Sequence, residues 1–149
     1  MLRQLIVWRS KVTLQRRINN RQSVSRRGAA LVEFAVCLPV LMIMVLGSME
    51  ASSAIFVRQA LTTSAYEGAR EAIRTGATTS AAITRAQDVL TARRIRSSTI
   101  RFTPGDVQSA ARGSTIILEV SAPYAANSPF FGNVIRDRVT TVRTVMVKE

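Results

Sequence analysis

Ala29 to Met49 is an apolar run containing a single acid, and no other stretch limits the possible folds of this chain so tightly. As a helix, Gly28 to Met49 would rise about 32 Å, close to the hydrocarbon thickness of a bilayer. From Phe34 to Met49 no residue is charged, and Leu38, Leu41, Met42, Ile43, Met44, Val45 and Leu46 fill the centre. Pro39 removes one backbone hydrogen bond and predicts a kink, which membrane helices tolerate. Glu33 is the exception. A carboxylate at mid-bilayer costs about 2.5–3.5 kcal/mol on insertion scales, and less near an interface, so its presence suggests a purpose.

A cleaved secretory signal is a competing reading, with small residues for a peptidase at Ser52-Ser53-Ala54. Against it, the run exceeds the usual length of about 7–15 residues and Glu33 interrupts its start. An uncleaved anchor is the other alternative.

The charge distribution gives the run a direction. The 149 residues carry a net charge of +12 from 21 basic and 9 acidic residues. Residues 1–28 hold eight of the basic residues and no acid, which leaves 13 basic and 9 acidic residues, or +4, for residues 29–149. The basic character therefore belongs to a leader and is not spread over a folded face, so no nucleic-acid partner is expected. Basic residues flanking a span stay in the cytoplasm, and Arg26-Arg27 read as that topology signal. Residues 50–149 then lie outside the cytoplasm, with Glu50 at the outer end of the span.

Catalysis finds little support. There is no histidine, and the one cysteine, Cys37, lies within the apolar run, where it reads as a small packing residue. The usual triads and zinc sites are therefore missing. No carboxylate pair invites acid–base work and no glycine-rich loop cradles phosphate. Neither enzymatic activity, nor a cofactor, nor a metal is expected.

Gly28, four residues, then Glu33-Phe34 is the order found at prepilin peptidase sites of the tight-adherence (Flp) branch of type IV pili. Arg26-Arg27-Gly28-Ala29-Ala30-Leu31-Val32-Glu33-Phe34-Ala35, continued by Leu38-Pro39-Val40-Leu41, resembles the opening of TadE-like pseudopilins. So do Val57-Arg58-Gln59-Ala60-Leu61 and Glu67-Gly68-Ala69-Arg70-Glu71-Ala72, and Val145-Met146-Val147-Lys148-Glu149 is similar to the family's end. The clear resemblance covers roughly residues 26–74. It implies a cut between Gly28 and Ala29 by a prepilin peptidase, after which Glu33 is the fifth residue. It also implies partners: other pilins or pseudopilins and pilus-assembly membrane proteins. A glycine before the cut bond lets the backbone approach an enzyme closely. Three readings of Glu33 stay open. It snorkels to the interface, or it serves peptidase recognition, or, as in type IV pilins, it pairs with the amine of a neighbouring subunit.

Residues 2–18 read either as a basic amphipathic helix with Leu2, Leu5, Ile6 and Trp8 towards lipid, or as a disordered leader. Past Met49 a helical pattern runs to about Arg74, with Ala54, Leu61, Ala65, Ala69 and Ala72 on a narrow face that packs on the domain's own sheet or on a neighbour. Thr75-Gly76-Ala77 reads as its stop. A second helix begins at Ser80, capped by Ser80 or Thr79, carries Ile83, Ala86, Val89 and Leu90 as its stripe, and ends near Arg94. Arg93, Arg94 and Arg96 complement its dipole.

The period then becomes alternating. Ile100 and Phe102 mark one strand, Pro104-Gly105-Asp106 a turn, Ser114 to Ser121 the clearest strand and Val139 to Val147 the third. The long connection 122–138 carries Tyr124, Phe130 and Phe131, expected to dock on the domain's own helix. The fold class is α+β: one transmembrane helix extended by an amphipathic helix, a second helix, and a small antiparallel sheet of about three strands.

The expected organisation is a leader at 1–28, a transmembrane helix at 29–49 and an extracytoplasmic domain at 50–149. The function expected is that of a minor pseudopilin of the bacterial inner membrane, cut after Gly28 and acting in assembly of a tight-adherence pilus or related secretion apparatus. The alternative is an uncleaved single-pass protein with an extracytoplasmic binding domain.

Overall fold

A computed structural model of the chain describes residues 28–132, 134 and 137–149 with their side chains, and residues 2–27 as helix backbone. Arg26 and Arg27, and the lipid-facing side chains expected in the leader, lie outside the described residues. The chain divides into two units, residues 1–45 and 46–149.

Helix α1 (Leu2–Ala72) provides the first unit and opens the second. In the first unit every residue from Gly28 to Val45 is exposed, whichever way it points, and Pro39 lies inside the helix. The most apolar stretch of the helix has a mean hydropathy of 2.5 and none of it is buried, and by length and composition the helix is able to cross a membrane. A helix that is apolar all round needs an apolar surrounding. The described residues of this unit supply none, which suggests membrane anchoring.

The second unit is α+β. Residues 46–72 of α1 are followed by α2 (Thr79–Ala92), β1 (Thr99–Thr103), β2 (Thr115–Pro123), the single turn α3 (Tyr124–Asn127) and β3 (Val139–Val147). The strands form one antiparallel sheet in the order β1-β2-β3, with Phe102 opposite Leu118 and Leu118 opposite Thr144. Strand alternation sends Ile116, Leu118, Val120 and Ala122 of β2 inward, and all four are buried. On α1 the stripe Val57, Leu61, Ala65 and Ala69 recurs every four residues and meets Leu90 of α2 and Leu118, Val120 and Ala122 of β2 in one core. A second cluster joins Ala72, Ala82, Val107 and Ile116. Full burial of side chains such as Leu61, Leu90 or Ile116 stabilises by about 1.5–3 kcal/mol each. The narrow face of α1 thus packs on the domain's own sheet.

The ends of α2 differ from the expected ones. Its cap is Thr78, one residue before Thr79, and the Thr78 hydroxyl accepts the backbone N–H of Ala81 at 3.1 Å. Thr79 is left to hold the β1–β2 connection: its Oγ1 donates to Asp106 at 3.2 Å and accepts the N–H of Val107 at 2.9 Å. The inward stripe is Ala82, Ala86 and Leu90, with Ile83 and Val89 only half-buried. Small residues face inward because α1 comes too close for larger ones.

The C-terminus closes with the Arg94 N–H bonded to the Thr91 carbonyl and the Ile95 N–H to the Leu90 carbonyl, both at 2.9 Å, a Schellman closure. Its left-handed position is usually glycine. Here it is Arg94, at φ 57°, which costs about 1 kcal/mol. Helix α3 was not expected. It folds the long connection into a turn beginning directly after Pro123.

Candidate functional site

Gly28, Ala29, Glu33 and Phe34 lie together on the exposed part of α1. Leu31 is 69% exposed, Val32 65% and Phe34 56%, so none of the described residues shields the segment. One turn separates Ala29 from Glu33, which places both on one helix face about 6 Å apart along the axis. Glu33 takes part in neither of the ion pairs among the described residues, Arg74–Glu71 and Arg85–Glu67. A Cβ added at Gly28 would meet nothing within 4 Å, and the residue does not lie in the left-handed region, unlike Gly76 and Gly113. The fold therefore makes no demand for glycine here. A demand, if any, comes from whatever reads the segment from outside.

A second constellation forms where the apolar run ends. Glu50, expected only to mark that end, is 8% exposed. Its Oε1 accepts hydrogen bonds from the hydroxyls of Tyr124 and Ser128, and its Oε2 accepts the Phe130 N–H at 3.3 Å. Asn127 ties the same connection to the end of α2: its Oδ1 accepts the Arg96 N–H at 2.9 Å and its Nδ2 donates to the Arg96 carbonyl at 3.1 Å. The connection 122–138 is thus pinned to both helices. Tyr124 docks on α1 through its hydroxyl, as expected of the aromatic residues, whereas Phe130 and Phe131 stay 48% and 37% exposed.

Burial works against the charged form of Glu50. The hydrogen bonds from Ser128 and Tyr124 and from the backbone of Phe130 and Phe131 outweigh it, so the carboxyl is held below its ordinary value of 4.5. Burial, then the bond to Glu50, pushes the Tyr124 phenol up, which keeps it a donor.

A group whose folded value is depressed stabilises fully above its unfolded value and loses that contribution as pH falls through the folded one. The hydrogen bonds of Tyr124, Ser128 and Phe130 to Glu50 are therefore expected to hold at neutral pH and to weaken progressively below pH 4.5. Thermal unfolding followed across this range should show a steeper acid loss for the wild type than for Glu50→Gln. Parallel curves would remove Glu50 from the acid response.

Among the described residues no cluster of histidine, cysteine, aspartate or glutamate is placed to hold a metal ion. Glu50 was missed as an organising residue because its partners lie 74 to 80 positions away, and no local pattern announces them.

Residues 28–70 match the family model described as TadE-like protein. The match begins at Gly28 and includes Glu33-Phe34, the Gln59-Ala60-Leu61 segment and Gly68-Ala69-Arg70. No curated protein and no solved structure matches the chain. The TadE-like segment and the candidate membrane helix together fit a protein associated with a tight-adherence pilus.

Proposed function

We propose that this chain, TadE-like over residues 28–70, is a minor pseudopilin processed by a prepilin peptidase between Gly28 and Ala29. The observation that carries the reading is the exposed segment Gly28 to Phe34, at the start of an apolar helix and at the start of the family match. The chain sits in the bacterial inner membrane with the leader in the cytoplasm and residues 50–149 outside. Arg26 and Arg27 hold the scissile bond at the cytoplasmic face, where a peptidase meets it.

Release of the leader exposes an amine at Ala29, on the same face as the Glu33 carboxylate. Pairing of that carboxylate with the amine of a neighbouring pilin offsets the desolvation of both and sets the axial register between subunits. The role is structural and non-catalytic: the helix packs with other pilins or pseudopilins and with assembly proteins of the membrane. The outer domain then helps to initiate, cap or tune a filament.

Mass spectrometry of the mature N-terminus tests this. The expected terminus is Ala29, methylated or unmethylated. An intact Met1 would favour an uncleaved single-pass protein with an extracytoplasmic binding domain. A terminus at Ile55 would overturn both readings in favour of a secreted domain.

A further inference from the structure

Four arginines line two adjoining recesses of the second unit, beside the part of α1 that follows the apolar run. Ser53, Phe56 and Val57 of α1 line a shallow recess of about 250 Å³ together with Arg93, Arg94 and Arg96, and Asn127 and Ser128 of the pinned connection complete it. Arg58 and Arg93 line the neighbouring recess with Ile55. Arg58, Arg94 and Arg96 are exposed and Arg93 is half-exposed. The ion pairs among the described residues use Arg74 and Arg85, which leaves these four guanidinium groups without a described acid. Arg94 moreover occupies a left-handed position that favours glycine, so its arginine sits there against its backbone preference.

Height along α1 identifies what faces them. Ser53 to Arg58 lie four to nine residues past Met49, about 6–14 Å along the helix axis. The headgroup zone extends about 5–8 Å beyond the hydrocarbon on each side, so Ser53 starts inside it, while Arg58 starts beyond it and meets it by extending its side chain back towards the helix N-terminus, the direction in which helical side chains lean. Ile55 and Phe56, 58% and 48% exposed, start about 9–11 Å out and lean back towards this zone, and the exposed Phe130, whose N–H is bonded to Glu50, sits beside its inner edge. Exposed apolar side chains beside unpaired guanidinium groups suit the boundary between acyl chains and phosphates.

We infer that Arg58, Arg93, Arg94 and Arg96 form a belt that binds the phosphates of anionic phospholipid headgroups in the leaflet facing the domain. The inference rests on the membrane-anchored reading above. The belt holds the domain down on the bilayer until the helix leaves it, and guanidinium groups bind phosphate oxygens in bidentate fashion.

The test places the full chain in bilayers of phosphatidylcholine with a minority of phosphatidylglycerol and reads the retained lipids by native mass spectrometry. The basic leader recruits anionic lipid in every variant, so the readout is the difference between variants. A variant combining Arg58→Gln, Arg93→Gln, Arg94→Gly and Arg96→Gln is expected to lower the phosphatidylglycerol enrichment about fivefold or more. Arg94→Gly alone, which relieves the left-handed backbone, is expected to keep or raise the melting temperature while lowering the enrichment.

Equal enrichment in wild type and either variant, with the chain inserted, would overturn the belt alone. Extraction of the wild-type chain from the bilayer by alkaline carbonate would overturn the anchored reading and the belt with it. Loss of the difference on adding inorganic phosphate at low concentration would make this a free-phosphate site and overturn the lipid assignment.

Discussion

Gly28→Asp is expected to leave the protein folded and wholly unprocessed, with the leader still attached in the membrane fraction. The structure separates the two halves of this result. The Cβ position at Gly28 opens onto free space, and its backbone conformation is one that any residue adopts. Aspartate is a slightly better helix former than glycine, so the helix itself loses nothing by the change. The effect has to arise in a peptidase that closes on the backbone at Gly28, where a side chain and a negative charge beside Arg27 block approach. Gly28→Ala, which adds only a methyl group, is expected to slow maturation without abolishing it. Intact-mass measurement and immunoblotting of membrane fractions check both variants, together with circular dichroism to verify the fold. Normal maturation of Gly28→Asp would refute the proposed site.

Gly68→Ala is expected to do the opposite: lose stability with no effect on processing. A Cβ on Gly68 would lie 2.8 Å from the Ala86 Cβ, 2.8 Å from the Leu118 Cδ2 and 3.2 Å from the Ala82 carbonyl oxygen. Leu118 is able to rotate its end only into a filled core, and Ala86 is fixed on the backbone of α2. Overpacking of this kind costs about 1–3 kcal/mol, and the gain in helix propensity from glycine to alanine returns at most about 1 kcal/mol.

For a unit of this size a net loss of about 1 kcal/mol lowers the melting temperature by about 4–8 °C. Gly68→Val should cost more. Removing the opposing methyl group in the double variant Gly68→Ala with Ala86→Gly should recover part of the loss, since contacting residues couple. Calorimetry of the wild type, Gly68→Ala, Ala86→Gly and the double variant measures it. Additive losses would show that the close approach of α1 to α2 does not limit this site. The Gly68-Ala69-Arg70 segment thereby gains a structural explanation: glycine lets α1 approach Ala82 and Ala86 of α2 and Leu118 of β2.

Much of the fold was legible because its signals are local. Alternation in β2 puts Ile116, Leu118 and Val120 on one face and Ile117 and Glu119 on the other, and the first three are buried. The small residues of α1 foretold a close-packing face, and Leu61, Ala65, Ala69 and Ala72 are buried, while Ala54 is half-buried. The stripe of α2 was only partly legible. Helical periodicity offered Ile83 and Val89 by size, whereas the space beside Gly68 admits only Ala82 and Ala86. Thr78 rather than Thr79 became the cap because Thr79 is engaged with Asp106 and Val107, a contact 27 and 28 residues distant. The exposed segment from Gly28 to Phe34 was located by its residue order, and the fold adds only that none of the described residues covers it.

The apolar run and its one acid, the basic leader and the helix-then-strand order are properties of neighbouring residues. The sequence by itself determined them, because hydropathy, charge and periodicity act over a few positions. Which atoms surround Glu50, why Gly68 and Ala82 have to be small, and the gathering of Arg58 with Arg93, Arg94 and Arg96 around two adjoining recesses were decided only by the tertiary structure. Each depends on bringing together groups tens of residues apart, and that geometry exists only once the helices have packed on the sheet.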